Sequence, residues 1–336
     1  MKNLYKSIFF ILTIISTLIS ISSLSWFTAW MGLEMNLLSI IPLMKNFLNS
    51  NSAEASIKYF IIQAMASSML LFSIIIFSKT KNFNLELTLL SSLMINSSLL
   101  MKMGAAPFHF WLPEVVTGLN WELIFILLTW QKIAPMILLF YSIFSPMFLS
   151  IIIIFSSLIS GIQGINQMCL RKIMAYSSIN HISWMISSIL TSLNMWMYYF
   201  MFYMITNLNI MVMFNKYKIF YINQLSKLFN HNKMIKFLFM LNFLSLGGLP
   251  PFLGFFPKWM TIHFLINFNF FTLSLILIIF TLMTLYFYMR ITFSTFSLNS
   301  EESLTKNMKK INYSYFFIQL LSLIGLTLCF LLSNHL

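Results

Sequence analysis

Long apolar runs alternate with short polar or basic interruptions along the whole chain, and no polar stretch is long enough to form a domain of its own. A helix needs about 20 predominantly apolar residues to cross the hydrocarbon core of a bilayer. Bounded by charged or turn residues, the runs predict eleven crossings, at 4–23, 25–44, 57–78, 85–112, 121–142, 147–166, 172–190, 195–214, 236–265, 270–291 and 313–333. The fourth and ninth are too long for one straight crossing, and Gly and Pro interrupt each. The longest loop is 215–236. Residues 1–24 are basic and then apolar like a signal peptide, but the apolar run exceeds a typical signal core and no small-x-small cleavage site follows, which predicts a retained first helix. The expected fold class is an all-α polytopic membrane protein, a single integral membrane domain over 1–336.

Composition agrees with the pattern. Of 336 residues, 59% are hydrophobic and 8% charged, against about 25% charged in a soluble domain. A soluble enzyme, a nucleic-acid-binding module and a disordered chain are excluded. The net charge of +13 therefore reads as topology rather than as affinity for nucleic acid. With the N-terminus on side A, that side's loops and helix ends hold Lys2, Lys6, Lys45, Lys58, Arg171, Lys172, Lys216, Lys218, Lys227, Lys233, Lys236, Arg290, Lys306, Lys309 and Lys310, whereas side B holds Lys79 and Lys81. The positive-inside rule makes side A cytoplasm-like or matrix-like, and an odd helix count puts the C-terminus on the other side. Cys169 and Cys329, each in or beside an apolar run, have no disulfide or metal spacing and read as packing residues. The chain has no Asp, 18 Lys against 2 Arg, 26 Met and 37 Phe. That bias fits an organelle-encoded membrane protein or an AT-rich bacterium.

Three lysines remain, Lys102, Lys132 and Lys258, and all lie inside apolar segments, as does Glu34. Each charge at mid-bilayer costs roughly 2.5–3.5 kcal/mol, so four would cost on the order of a domain's whole stability. Snorkelling or a structural ion pair explains a lysine near a helix end. It does not explain Lys132, which lies about ten residues, or ~15 Å, from either end of its run. Three lysines also cannot all pair with one glutamate. A buried lysine near a movable carboxylate is a tunable proton site. Pro135 cannot donate to the carbonyl of Gln131, so a loosened helix is expected beside Lys132.

The two interruptions carry related text. Gly104-Ala105-Ala106-Pro107-Phe108 follows Lys102, and Gly247-Gly248-Leu249-Pro250-Pro251-Phe252 precedes Lys258. Unwound backbone at membrane depth is tolerated only where it lines a cavity. Paired broken helices of opposite sense mark an inverted repeat. Helices one to five (1–145) would match six to ten (146–292), with an extra C-terminal helix at 313–333. Glu34 then corresponds to the seventh helix, which carries His181 among Ser177, Ser178, Asn180 and Ser183, either as a proton relay or as a hydrogen-bonded structural residue. His109, His263 and His335 are weaker candidates and His231 lies in a loop. No two histidines have metal-ligand spacing on one helix face, and no phosphate loop or dinucleotide fingerprint occurs.

The strings AWMGLEMNLL (Glu34), KMGAAPFHFWLPEV (Lys102), LLTWQKIAP (Lys132), RKIMAYSSINHISWM (His181) and GGLPPFLGFFPKW (Lys258) resemble the antiporter-like membrane subunits of mitochondrial NADH:ubiquinone oxidoreductase, respiratory complex I, along essentially the whole chain. The resemblance is to the shortened animal form lacking three N-terminal helices, and the residue bias points to an insect. It implies a proton-translocating core subunit in the mitochondrial inner membrane, N-terminus in the matrix and C-terminus in the intermembrane space. Glu34 and Lys102 would form a glutamate–lysine pair, Lys132 a relay, His181 part of the hydrophilic path and Lys258 the terminal lysine. It implies that this chain is part of an enzyme but holds no redox site and binds no cofactor or metal. NADH, FMN, iron–sulfur clusters and ubiquinone belong elsewhere in the complex. Partners would be other membrane-arm subunits, antiporter-like neighbours among them, and phospholipids such as cardiolipin, with no nucleic acid. A stand-alone cation/proton antiporter, a structural scaffold without a proton path and, with no sequence support, a quinone-processing enzyme are the alternatives.

Overall fold

A computed structural model describes residues 2–45, 49–80, 85–143, 145–228, 233–250 and 252–296. The expected crossing at 313–333 lies outside the described residues, as do Cys329, His231 and His335. The described elements are α1 (Lys2–Ile21), α2 (Trp26–Met44), α3 (Ser50–Thr80), α4 (Leu85–Met103), α5 (Trp111–Gly118), α6 (Trp121–Leu128), α7 (Trp130–Tyr141), α8 (Pro146–Ile165), α9 (Leu170–Thr191), α10 (Leu193–Tyr217), α11 (Ile222–Leu228), α12 (Lys233–Gly247), α13 (Phe255–Asn267) and α14 (Phe271–Phe296). Seven spans among the described residues are long and apolar enough to cross a membrane. Lipid offers no hydrogen bonds to the backbone, so each crossing must satisfy its own, and helices do so.

The helices are apolar outside and mixed inside. On α1, Ile8, Ile11, Ile15 and Leu18 form an exposed stripe at helical spacing, while Thr13, Ser16, Thr17 and Ser20 are buried. The buried hydroxyls donate to carbonyls three residues back, Ser16 to Thr13 and Ser20 to Thr17. Leu275, Ile278, Leu282 and Tyr286 make the corresponding stripe on α14. Small residues inside allow close helix packing where burial of apolar surface gains nothing.

Two compact units divide the chain between Ser156 and Ser157, within α8. In the first, α1 packs on α2, and α3 on α4, α5 and α2. Trp30 of α2 donates to the Ser67 carbonyl of α3 at 3.1 Å. Lys58 of α3 lies 2.9 Å from both Glu54 and Glu114, tying α3 to α5. This pairing is 41–66% exposed, where ion pairs contribute little. Lys58→Ala is accordingly expected to move the heat-inactivation midpoint only slightly, by a shift that shrinks as salt is raised. A large, salt-independent loss would contradict this.

In the second unit α9 is buried from Ile173 to Ile189 and packs against α10, α13 and α14. The long loop expected at 215–236 contains regular structure among its described residues. Lys218, at φ 52°, closes α10, Leu170 N–H donates to the Phe220 carbonyl, Ile222 N–H donates to that of Met168, and α11 follows. The Arg171 guanidinium lies 4.6 Å from the Phe220 ring centroid.

Candidate functional site

Both interrupted crossings break in the same way. At the end of α4, Gly104 (φ 74°) donates to the Met101 carbonyl and Ala105 to that of Leu100. At the end of α12, Gly248 (φ 78°) donates to Ser245 and Leu249 to Leu244. Each is a Schellman ending, in which a glycine in the left-handed region lets two N–H groups fold back onto the last turn. A prolyl turn follows, and the chain re-enters helix as α5 or α13.

These broken ends hold the buried lysines. Lys102 stands in the last turn of α4. Lys258, on α13, reaches back so that its ammonium donates to the Gly247 carbonyl of α12 at 2.8 Å. The carbonyl end of a helix carries a partial negative charge, worth 0.3–1 kcal/mol to a nearby cation and up to ~2 when partly buried. That offsets part of the cost of holding charge at membrane depth. The carbonyls of α4 have other donors as well: Gln63 donates to Lys102 at 3.2 Å and Trp111 to Met101 at 3.2 Å.

In the first unit Lys102 and Lys132 line one cavity, with Asn36, Tyr59, Gln63 and Gln131 as further polar lining. Its volume open to the centre of a water molecule is about 20 Å³, room for at least one water. Lys132 is only 1% exposed. The crossing that carries it is interrupted at Thr129 (φ −115°, ψ −73°), which separates α6 from α7. There Lys132 N–H bonds to the Thr129 carbonyl at 3.1 Å, a tightened i−3 turn. Pro135 sits inside α7 and cannot donate to the Gln131 carbonyl, so the loosening expected there is joined by a second one two residues earlier, at Thr129.

Glu34 stands apart from the cavity lining, which α2 supplies through Leu33, Asn36 and Leu37. It interacts electrostatically with Lys102, but the two make no ion pair within 4.0 Å, and one carboxylate oxygen is buried without a hydrogen-bond partner. The glutamate–lysine pair expected from the sequence is therefore near but open.

In the second unit His181 Nδ1 lies 2.9 Å from the Tyr199 hydroxyl, with the Tyr203 ring 4.9 Å away. Trp184, one turn along the same face of α9, lies beneath the Lys258 ammonium at 5.9 Å. Lys258 thus meets the face of α9 that carries His181. The serines flanking His181 reach both their own helix and its neighbours. Ser177, Ser178 and Ser183 donate to Met174, Ala175 and Asn180 of α9, Ser177 also meets the Tyr288 hydroxyl and Ser178 that of Tyr203, and Asn180 donates to Thr284 of α14. Among the described residues no cluster of three His, Cys or acidic groups could hold a metal.

The structure thus gathers Lys102 and Lys132 on one cavity, holds Glu34 nearby, and separately sets Lys258 over Trp184, one turn along α9 from His181. Sequence reasoning missed Asn36, Gln131, Gln63 and Tyr199. The first two were detectable as amides within two residues of Glu34 and Lys132, whereas nothing in the sequence marks Tyr199.

One lysine ammonium held on the carbonyl end of a broken half-helix, and two more buried lysines on the wall of a small polar cavity, define an ion-translocating membrane protein. Residues 23–284 match the family model described as NADH:quinone oxidoreductase/Mrp antiporter, TM, and the chain belongs to that family. It is similar to NADH-ubiquinone oxidoreductase chain 2 of Anopheles gambiae, 46% identical over 99% of this chain and 100% of that one, and of Locusta migratoria, 44% identical over 96% and 95%. A chain of respiratory complex I from Thermus thermophilus superposes with a TM-score of 0.84 at 20% identity, covering 96% of this chain and 78% of that one. A chain of the Mrp complex from Dietzia does so at 0.81 and 13%, covering 96% and 74%. The all-α antiporter-like fold expected from the sequence is the fold found.

Proposed function

We propose that this chain is a core membrane-arm subunit of NADH:ubiquinone oxidoreductase, complex I, and moves protons across the membrane as NADH is oxidised and ubiquinone reduced. The carrying observation is the cavity shared by Lys102 and Lys132 beside the broken end of α4, in a chain similar end to end to its mosquito relative. Glu34 approaching Lys102 stabilises its ammonium, and withdrawal releases the proton toward Lys132. Lys258 and His181 are the carriers of the second unit. The shared Schellman ending of both breaks supports reading 1–145 and 146–292 as inverted repeats. This chain binds no cofactor. The redox groups and ubiquinone belong to other subunits of the complex, and antiporter-like subunits and phospholipids such as cardiolipin surround it. The fifteen-to-two distribution of basic residues supports a mitochondrial inner-membrane orientation with the N-terminus in the matrix and the C-terminus in the intermembrane space. End-to-end similarity to one subunit of the oxidoreductase favours this over a stand-alone antiporter.

Glu34→Gln tests the first step. Two charges about 8 Å apart interact by roughly 2 kcal/mol at an effective dielectric near 20, so removing a carboxylate that lies beyond ion-pair contact is expected to slow coupled proton uptake roughly 10–30-fold. The readout is protons moved per NADH, together with turnover, in sealed inner-membrane vesicles. Parental values for both would remove Glu34 from the mechanism.

A further inference from the structure

Two amides on the wall of the lysine cavity have no part in the steps above. Asn36 Nδ2 donates to Gln131 Oε1 at 2.8 Å, and Gln131 Nε2 donates back to Asn36 Oδ1 at 3.2 Å. This reciprocal pair joins α2 to α7. Asn36 is two residues from Glu34, and Gln131 precedes Lys132. The cavity that both line also holds Lys102 and Lys132.

The chemistry of an amide sets what such a pair can do. It neither gains nor loses a proton near neutral pH, so it cannot be a carrier itself. Closed on each other, the two amides each spend one N–H and one carbonyl on the partner. Opened, those groups face the cavity. A water there needs two to four polar partners and only modest space, and besides the two amides the polar side chains lining the cavity with the amines are Tyr59 and Gln63. The backbone at this point is also suited to movement. Gln131 lies in the first turn of α7, just after the interruption at Thr129, where the adjacent Lys132 N–H is held by an i−3 bond. A shift of α2 that moves Glu34 also moves Asn36, and so draws it away from Gln131, the neighbour of Lys132.

We propose that the Asn36–Gln131 pair is a positioning gate for proton transfer between Lys102 and Lys132. While closed it leaves the two amines unbridged, and when opened by movement of α2 it supplies the groups that hold bridging water. The proposal rests on reading Lys102 and Lys132 as proton carriers. Neither amide touches the reacting proton while the gate is closed. Both act through the placement of Lys132 and of water.

The test compares Asn36→Leu, Gln131→Leu, the double variant, the exchanged pair Asn36→Gln/Gln131→Asn, and Lys132→Met. Each is assayed in the assembled complex in sealed vesicles for protons moved per NADH and for the amount of complex. Each leucine variant is expected to lower the proton ratio at least about twofold, and the double variant to be no worse than either single one, as for groups acting as one unit. The exchanged pair, which restores the reciprocal bonds, is expected to return the ratio to near its parental value. A scaffold role would change the amount of complex and leave the ratio of the assembled fraction untouched. Parental ratios in the leucine variants alongside a lowered ratio in Lys132→Met overturn the gate and leave the carrier reading standing. A parental ratio in Lys132→Met overturns the carrier reading and the gate with it. If the leucine variants do not assemble, Asn36→Ser decides: it is too short to reach Gln131, so a lowered ratio supports the gate and a parental ratio overturns it.

Discussion

Lys132→Met is expected to leave the assembled complex at its normal level while lowering NADH-driven proton uptake by about tenfold or more, the effect of some 1.4 kcal/mol or more on a barrier. The two halves of this result have one physical origin. Lys132 is 1% exposed, and a charge at that depth costs roughly 2.5–3.5 kcal/mol. Methionine fills a similar volume without that cost, so a chain selected for stability alone gains from the change. Stability given up at a buried polar site for the sake of activity is the expected signature of a functional residue. Lys132→Arg separates charge from proton carriage. The guanidinium keeps the positive charge but does not release its proton in a protein, so it is expected to be as impaired as methionine. Wild-type pumping in Lys132→Arg would mean that the charge at this position suffices. Pumping and turnover both unchanged in Lys132→Met would remove the residue from the path.

Why Lys132 was legible in the sequence, and its surroundings were not, follows from what each depends on. A charge in the middle of an apolar run stands out against lipid whatever the tertiary structure, and so do Gly and Pro in a run too long for one crossing. Glu34, Lys102, Lys132, Lys258 and both breaks were found in that way. The interruption at Thr129 was missed because it depends on a shift in hydrogen-bond register rather than on a residue that removes a helix hydrogen bond, as Pro135 does further along. The run of serines around His181 suggested a polar path, but serine hydroxyls in a helix readily bond their own backbone, and only packing shows which also reach a neighbour, as Ser178 reaches Tyr203 and Ser177 reaches Tyr288. Tyr199 reaches His181 from another helix, and Asn36 reaches Gln131 across 95 residues. Such pairings are set by helix packing, which apolar periodicity does not encode when lipid-facing and core-facing positions are both apolar.

Neighbouring glycines at the second break are expected to respond to alanine with opposite signs. Gly247 is the last residue of α12, and a Cβ there would lie 3.5 Å from its nearest neighbour, the Tyr288 ring, an ordinary contact. Within a helix alanine is preferred to glycine by roughly 0.5–1 kcal/mol, so Gly247→Ala is expected to be neutral or slightly stabilising. Gly248, one residue on, sits at φ 78°, where an L side chain costs roughly 1–2 kcal/mol. Its Cβ would also lie 2.8 Å from Cδ and 3.0 Å from Nζ of Lys258. The lysine must then leave the Gly247 carbonyl or the turn must open. Either way Gly248→Ala is expected to lower both the stability of the subunit and the proton yield per NADH. Gly254, at the start of α13, is tighter still, because its Cβ would overlap the Ser245 carbonyl oxygen. A backbone group cannot swing aside as a lysine tail can, so Gly254→Ala is expected to separate α12 from α13, at a cost above the usual 1–3 kcal/mol of overpacking. Thermal inactivation and proton yield of the three variants, measured side by side, check the ordering. If Gly248→Ala loses stability and keeps a normal proton yield, the ammonium–carbonyl contact of Lys258 with Gly247 is structural. If Gly247→Ala is as damaging as Gly248→Ala, the helix does not end where the Schellman hydrogen bonds place it.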